Sequence, residues 1–187
     1  MISCEKLGRM KMLVCSVDGV LTDGSVTYAN DTDIRTFHVL DGLATRLAGW
    51  NDFPVAWISA RLMCPVNRRG DDINVKVYSG IADKEVGVRL AARDADVALS
   101  DIAFVGYDLN DIPAMRLVGL PLAVKGAVPE VAALAECITE LPGGQGAIRE
   151  IIEMIFKSQG RWESAIECYL ECLRNPYVGT IAVNTEI

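Results

Sequence analysis

The sequence predicts an α/β protein built on a parallel β-sheet with helices on both faces. Short apolar runs rich in β-branched residues alternate along the chain with segments in which apolar residues recur at helical spacing. Polar residues follow three of these runs, as expected where a parallel sheet forms a ligand site at the carboxyl ends of its strands. The 187 residues are enough for one domain with a sizeable core, and they contain no linker and no internal repeat.

The charge of the chain restricts the classes of partner. The formal net charge is −7 and 51% of the residues are hydrophobic, which is typical of a soluble globular domain. An acidic chain lacks the clustered Lys and Arg that nucleic acids or anionic membranes require, so we expect neither partner. The first 15 residues scatter charges among short apolar runs, and no segment approaches the roughly 20 apolar residues of a membrane-spanning helix. We therefore interpret the protein as cytoplasmic.

The first strand and a following insert are predicted from residues 11–42. The run KMLVCSV is followed by Asp18-Gly19, which predicts a buried strand and then a turn that carries a carboxylate. Two β-like runs then surround residues 29–32, which predicts a β-hairpin inserted after the first strand, at about 24–40. Its apolar side chains are expected to be exposed in a monomer, as a lid or a subunit interface. These side chains are Val26, Tyr28, Ile34 and Phe37.

The remaining elements alternate in order. Strands are predicted at 55–59, 74–80, 101–108 and 120–126, and helices at 41–51, 83–95, 111–119, 129–136 and 146–160. Asp83 is a plausible N-cap of the second of these helices. A further helical stretch follows Gly160, and residues 177–187 are β-like without an identified partner. We expect one domain over 1–162 and an extension of helix and tail over 163–187.

Three loops are expected to converge at the edge of the sheet: residues 16–18, 59–61 and 107–111. Lys84 lies in the first turn of a predicted helix, where the macrodipole disfavours a cation, so either an anion compensates it or it is solvated at the surface. Asp18, Asp108 and Asp111 would meet near it, and clustered carboxylates need a cation. Asp111 could equally be a helix N-cap.

Five motifs in this order resemble the haloacid-dehalogenase (HAD) superfamily, and within it the capless subfamily of 3-deoxy-D-manno-octulosonate 8-phosphate (KDO 8-phosphate) phosphatase. They are VDGVLTDG (17–24), ISAR (58–61), ADK (82–84), GYDLND (106–111) and LPGGQGAIREIIE (141–153). The resemblance runs from about Met12 to Trp162. It implies a Rossmann-like three-layer sheet and a homotetramer in which each hairpin covers the neighbour's cleft.

The resemblance also implies roles for residues in the three loops. An aspartate at the position of Ser16 attacks the phosphate ester, and Asp18 acts as general acid and base. Ser59, Ala60, Arg61 and Lys84 hold the phosphate. Mg²⁺ is held at the positions of Ser16 and Tyr107 and by the backbone of Asp18, which makes Asp18, Asp108 and Asp111 the candidate metal residues here.

The sequence departs from the family pattern at four positions. Ser16 replaces the nucleophile, and a phosphoserine would be a stable ester rather than a reactive acyl phosphate. Tyr107 replaces a metal-binding carboxylate, so Mg²⁺ is expected to bind weakly or not at all. Leu40 and Gln145 stand where relatives usually carry arginines that help to hold an anionic sugar acid.

Three hypotheses follow. One is a Mg²⁺-dependent phosphatase with an atypical site, acting on the phosphate of an eight- or nine-carbon keto-sugar acid. The second is a non-catalytic regulatory or structural homologue, and the third is a protein that binds a phosphorylated sugar acid or another small anion. Ser16 and Tyr107 favour the second and third over efficient hydrolysis, because the missing groups carry the covalent step and the charge stabilisation of the metal.

Overall fold

A six-stranded parallel sheet forms the centre of the computed structural model, which describes residues 4–29, 32–62 and 64–174. The eight strands are β1 (Met12–Ser16), β2 (Thr27–Ala29), β3 (Thr32–Ile34), β4 (Val55–Ile58), β5 (Lys76–Tyr78), β6 (Ile102–Gly106), β7 (Leu120–Lys125) and β8 (Cys137–Pro142). The sheet order is β5-β4-β1-β6-β7-β8, and every neighbouring pair in it is parallel. The predicted α/β class with a parallel sheet is confirmed.

Helices cover both faces of this sheet. They are α1 (Cys4–Gly8), α2 (Val39–Trp50), α3 (Cys64–Ile73), α4 (Lys84–Ala95), α5 (Ile112–Leu117), α6 (Pro129–Ala132), α7 (Ala147–Ser158) and α8 (Trp162–Arg174). Alternate residues of β1 serve two separate cores: Leu13 and Cys15 pack with α2 and α7, while Val14 packs with α4 and α5. This is why the first strand is apolar throughout rather than alternating. No helix in the described ranges is long and apolar enough to cross a membrane.

Three elements were not anticipated from the sequence. No strand was predicted where β8 lies, directly after the predicted helix at 129–136, and that helix, α6, ends at Ala132. Helix α3 is largely polar and includes Pro65 and Gly70, so it has too few apolar residues for a visible helical period. The short helix α1 packs on α7. Edge position and polarity explain why these elements lack a sequence signal.

The segment after β1 contains two short strands that pair antiparallel. Thr27 is opposite Ile34 in this β2–β3 pair, and residues 30 and 31, which join the strands, lie outside the described ranges. Tyr28 and Ile34 are exposed, as expected. The expectation for Phe37 was wrong, because its ring stacks on Trp57 at 6.1 Å between centroids and packs against the core. A role of this segment as lid or interface stays a prediction.

Helix α8 packs on the domain rather than standing apart from it. Trp162 and Ala165 are buried in the core on the α2 and α7 side, and Tyr169 stacks on Trp50 with 5.9 Å between ring centroids. The predicted domain boundary at residue 162 stays a prediction. The β-like tail predicted at 177–187 lies outside the described residues.

The loop between β8 and α7 braces the loop that follows β1. A Cβ on Gly143 would lie 1.8 Å from the carbonyl oxygen of Gly19, and the Gly144 amide donates to the Val20 carbonyl at 3.0 Å. Behind this contact, the buried Asp41 carboxylate accepts the amides of Gly146 (3.2 Å) and Arg149 (2.9 Å). The two loops are therefore held together by backbone contacts that allow no side chain at residue 143.

Replacing Gly143 by alanine tests this close approach. The added Cβ has to displace backbone on both loops, and overpacking of this kind costs about 1–3 kcal/mol. We expect the variant to lose that much free energy of unfolding in a urea titration monitored by circular dichroism. Gly49→Ala is the matched control, since nothing lies within 4 Å of its added Cβ. A Gly143→Ala variant as stable as wild type would contradict the packing described.

Candidate functional site

A cavity of about 270 Å³ opens at the carboxyl ends of β1, β4 and β6. This volume is close to the lower limit of about 300 Å³ for small-molecule sites and suits a phosphate-sized group with a few further atoms. Its walls come from all three predicted loops and from the start of α4. The lining residues are Ser16, Asp18, Gly24, Ala60, Arg61, Lys84, Tyr107, Asp108 and Asn110. The predicted convergence of residues 16–18, 59–61, 84 and 107–111 is therefore observed.

Lys84 lies at the base of this cavity and is 2% exposed. It is the first residue of α4, whose N-cap Asp83 accepts the Glu85 amide at 3.0 Å. The Lys84 Nζ donates to the Ile58 carbonyl at 2.6 Å and to Ser16 Oγ at 3.2 Å. Burial lowers the pKa of Lys84, and the charges of Asp111 and Asp18 offset part of this effect. The solvated-surface alternative for Lys84 is therefore wrong.

Asp18 is paired with an arginine that the sequence analysis did not identify. Its Oδ1 lies 3.4 Å from the Nη2 of Arg35, whose side chain is fully buried. The Arg35 Nη1 also donates to the Ser25 carbonyl at 2.6 Å, and its Nε lies 3.4 Å from the Asp33 carboxylate. Arg35 follows β3, in a run whose alternating polarity ordinarily indicates a solvated face, so the sequence carries no signal for this contact.

The two aspartates after β6 have different environments. Asp111 is buried, and its Oδ2 accepts the amides of Tyr107 (2.7 Å) and Asp108 (3.2 Å), which closes the loop. Burial raises the pKa of Asp111, while Lys84 and the two amides act in the opposite direction. Asp108 is exposed and caps the following turn by accepting the Leu109 amide at 2.7 Å. Asp111 is not among the residues that line the cavity, whereas Asp108 is.

The Tyr107 ring covers the glycines that follow β1. A Cβ on Gly19 would lie 2.1 Å from the Tyr107 Cδ1, and one on Gly24 would lie 3.8 Å from Cε1. Gly19 has a φ of +80°, so this turn requires glycine for its backbone as well as for the ring above it. The phenol ring therefore occupies the space between the loops after β1 and β6.

The predicted phosphate-binding residues after β4 divide into two groups. Ser59 is buried and does not line the cavity, and its Oγ accepts the Arg61 amide at 3.2 Å. Ala60 and Arg61 do line the cavity, and the Arg61 side chain is exposed. Leu40 and Gln145, the two positions without the expected arginines, are both exposed.

The side chains at this site offer a divalent metal few free anionic ligands. No group of three His, Cys, Asp or Glu residues in the described part of the chain is arranged to hold one. Asp18 is charge-balanced by Arg35, and one Asp111 oxygen is taken by two amides. The neutral Ser16 and Tyr107 occupy the other two positions, and Mg²⁺ prefers hard anionic oxygens.

Comparison with known proteins identifies relatives of the chain. A family profile of haloacid dehalogenase-like hydrolases matches residues 65–151. The 3-deoxy-D-manno-octulosonate 8-phosphate phosphatase of Haemophilus influenzae is 35% identical over 159 residues, which cover 84% of this chain and 88% of the relative. The Escherichia coli K12 enzyme is 33% identical over 162 residues, covering 86% of both chains.

Solved structures of 3-deoxy-D-manno-octulosonate 8-phosphate phosphatases superpose well on this chain. The Moraxella catarrhalis phosphatase, described in complex with a magnesium ion, a phosphate ion and KDO, has a TM-score of 0.84 at 29% identity, covering 89% of this chain and 97% of that one. The cobalt-bound Haemophilus influenzae enzyme has a TM-score of 0.84 at 32% identity, covering 88% and 99%. The chain therefore belongs to the 3-deoxy-D-manno-octulosonate 8-phosphate phosphatase family of haloacid dehalogenase-like hydrolases.

Proposed function

We propose that this family member binds the phosphate group of a phosphorylated sugar acid, or of another small anion, and does not turn phosphate monoesters over. The observation that carries the proposal is the 3.2 Å contact between Lys84 Nζ and Ser16 Oγ. The buried amine faces a neutral hydroxyl at the position where the resemblance requires a carboxylate nucleophile. The cavity therefore keeps a cation for an anionic ligand but lacks the group that would attack it.

Three features support anion binding in the cavity. Lys84 lies at its base, Arg61 lies at its wall, and the N-terminus of α4 supplies the positive end of a helix macrodipole. The Moraxella catarrhalis relative is described with phosphate and KDO bound, which supports a phosphorylated keto-sugar acid as the ligand class.

We propose that Mg²⁺ binds weakly at this site. The described magnesium and cobalt complexes of two relatives support metal dependence in the family. In this chain Asp18 has Arg35 as its cationic partner, and the Tyr107 ring occupies the space beside Gly19. A metal would have to compete with the ion pair and displace the ring.

A second candidate is a Mg²⁺-dependent phosphatase with an atypical site. The position of Asp18 and Lys84 on the cavity wall favours it, because these are the acid–base and phosphate-binding positions of the resemblance. Turnover measurements separate the two candidates, and ligand binding separates both from a purely structural or regulatory homologue.

We further propose that the chain forms a homo-oligomer, a tetramer in the family pattern, through the β2–β3 segment. Tyr28 is 73% exposed and Ile34 is 51% exposed, and Val39 and Leu40, after the segment, are exposed as well. Exposed apolar side chains that form a patch usually mark a protein interface.

A double-mutant cycle tests whether Ser16 and Tyr107 account for the proposed absence of phosphate ester hydrolysis. Wild type is expected to hydrolyse phosphate esters with Mg²⁺ at least about a thousand-fold below a typical turnover of about 10 per second. Ser16→Asp alone is expected to stay low, because the new carboxylate joins Asp18 and Asp111 without a metal and its pKa rises. Ser16→Asp with Tyr107→Asp is expected to recover Mg²⁺-dependent turnover, with strong non-additivity since both residues build one site.

The matched control for this cycle is Ser16→Asp with Leu173→Asp, which adds the same charge at an exposed position of α8 outside the cavity. Wild-type turnover at a typical enzymatic rate would contradict the proposal and favour the atypical phosphatase. Recovery in the Leu173 control would show that overall charge rather than a rebuilt site is responsible.

Inorganic phosphate is expected to stabilise the wild-type protein. At ten times the dissociation constant, binding to the native state adds about 1.4 kcal/mol to the free energy of unfolding. Lys84→Met is expected to abolish this effect, because it removes the buried cation of the cavity. The measurement is a thermal melt against phosphate concentration, with chloride at equal ionic strength as reference.

Lys76→Met is the control for this measurement, since Lys76 is exposed at the start of β5 and does not line the cavity. It should keep the full phosphate effect. The absence of any phosphate effect in wild type at millimolar concentration would exclude an anion site in the cavity.

Replacing Tyr28 and Ile34 by serine tests the proposed interface. We expect wild type to be a stable oligomer at micromolar concentration and the double variant to dissociate, because the contact loses its apolar area. Multi-angle light scattering measures the masses directly. Leu173→Ser on α8, which is also exposed, is the control and should leave the mass unchanged. A monomeric wild-type protein would contradict the proposal.

A further inference from the structure

The charged side chains that line the cavity are sufficient for one phosphate group. Among the described residues, the cations Arg61 and Lys84 and the carboxylates Asp18 and Asp108 line it. A phosphate monoester carries a charge of about −1.5 to −2 at pH 7, which the two cations match. A further acid group on the ligand would lie near a carboxylate while both cations are taken by the phosphate, and like charges repel.

The Tyr107 ring makes one wall of the cavity aromatic. The ring is packed closely over Gly19 and belongs to the lining of the cavity. An aromatic ring offers apolar surface and stacking contacts to a ligand, whereas the carboxylate that the resemblance places at this position offers charge. Ala60 and Gly24 add further neutral surface to the lining. The part of the ligand next to the phosphate therefore meets an uncharged wall.

Two exposed leucines lie beside this wall. Leu109 is 54% exposed and stands between two lining residues, Asp108 and Asn110. Leu62 is 85% exposed and directly follows the lining residue Arg61. The cavity of about 270 Å³ admits a phosphate group and a few further atoms, so a larger ligand extends towards these leucines. Exposed apolar side chains grouped at a cavity are typical of a ligand-binding surface.

We propose that the ligand of this cavity is a phosphate monoester whose organic part is uncharged and apolar, and that Tyr107, Leu62 and Leu109 select it. The phosphate is held by Lys84 and Arg61, and the organic part lies against the tyrosine ring and reaches the two leucines at the mouth. Burial of apolar surface on both sides supplies the preference.

This inference rests on the proposed function, because Lys84 anchors the phosphate in both. Of the two ligand classes in that proposal, it selects a small anion without a carboxylate over a phosphorylated sugar acid. Leu40 and Gln145 agree with this selection, since both are neutral at positions where the resemblance implies arginines that help to hold a sugar acid.

Three phosphonates that differ only beyond the phosphorus atom test the inference. Methylphosphonate carries little more than the anchor, phenylphosphonate adds an apolar ring, and 2-carboxyethylphosphonate adds a carboxylate. Wild type is expected to bind phenylphosphonate about tenfold more tightly than methylphosphonate, because the ring buries apolar surface. It is expected to bind 2-carboxyethylphosphonate no more tightly than methylphosphonate. Isothermal titration calorimetry measures the three dissociation constants.

Substitutions locate the preference on the named side chains. Tyr107→Asn, and Leu62→Asn combined with Leu109→Asn, are each expected to lose most of the advantage of phenylphosphonate. Both variants should keep the affinity for methylphosphonate, which also shows that they are folded. Leu173→Asn, at an exposed position of α8 outside the cavity, is the matched control and should keep the full advantage. Lys84→Met is expected to lose the binding of all three compounds.

The outcomes separate this inference from the proposed function. Binding of methylphosphonate with no advantage for phenylphosphonate, or tightest binding of 2-carboxyethylphosphonate, would overturn the apolar ligand class and leave the proposed function standing. An advantage for phenylphosphonate that survives both the tyrosine and the leucine substitutions would overturn the assignment of these side chains. Absence of binding by all three phosphonates would overturn the proposed function as well.

Discussion

The amine of Lys84 lies inside the protein at the end of the sheet, and the site is organised around the need to accommodate it. A buried ammonium without partners costs several kcal/mol, and its place at the start of α4 puts it at the unfavourable end of the helix macrodipole. The Ile58 carbonyl and Ser16 Oγ accept hydrogen bonds from the Lys84 Nζ. Asp111 and Asp18 supply negative charge nearby. The carboxyl ends of three strands, β1, β4 and β6, thus converge on one nitrogen.

Opposite charges surround this nitrogen. Arg35 lies 3.4 Å from the carboxylates of both Asp18 and Asp33, and the charge of Asp111 acts on Lys84, so three carboxylates face two buried cations. A divalent ion bound at Asp18 would have to compete with the Arg35 ion pair, in which the Asp18 side chain is 36% exposed. A serine at residue 16 adds no charge to this set, whereas an aspartate there would add a further negative charge. The neutral side chain and the internal ion pair are therefore consistent with each other.

Sequence reasoning predicted those features that depend on chain order and missed those that depend on packing between distant segments. Apolar runs alternating with helical periods predicted the parallel sheet, and the carboxyl ends of its strands predicted where the polar loops meet. Nothing in the sequence indicated that Arg35 would be buried against Asp18, or that the Tyr107 ring would lie on Gly19. Helix α3 was missed for a related reason, because tertiary contacts rather than its own period stabilise it.

Backbone contacts explain how the site keeps its shape independently of the side chains at residues 16 and 107. Gly143 packs on the carbonyl of Gly19, and Asp41 accepts two amides at the start of α7. The loop between β8 and α7 therefore supports the loop after β1. Asp111 closes the loop after β6 through the amides of Tyr107 and Asp108. None of these contacts involves the side chain at residue 16 or the ring at residue 107. Substitution at those two positions therefore changes the chemistry of the cavity while the loops that form it stay in place.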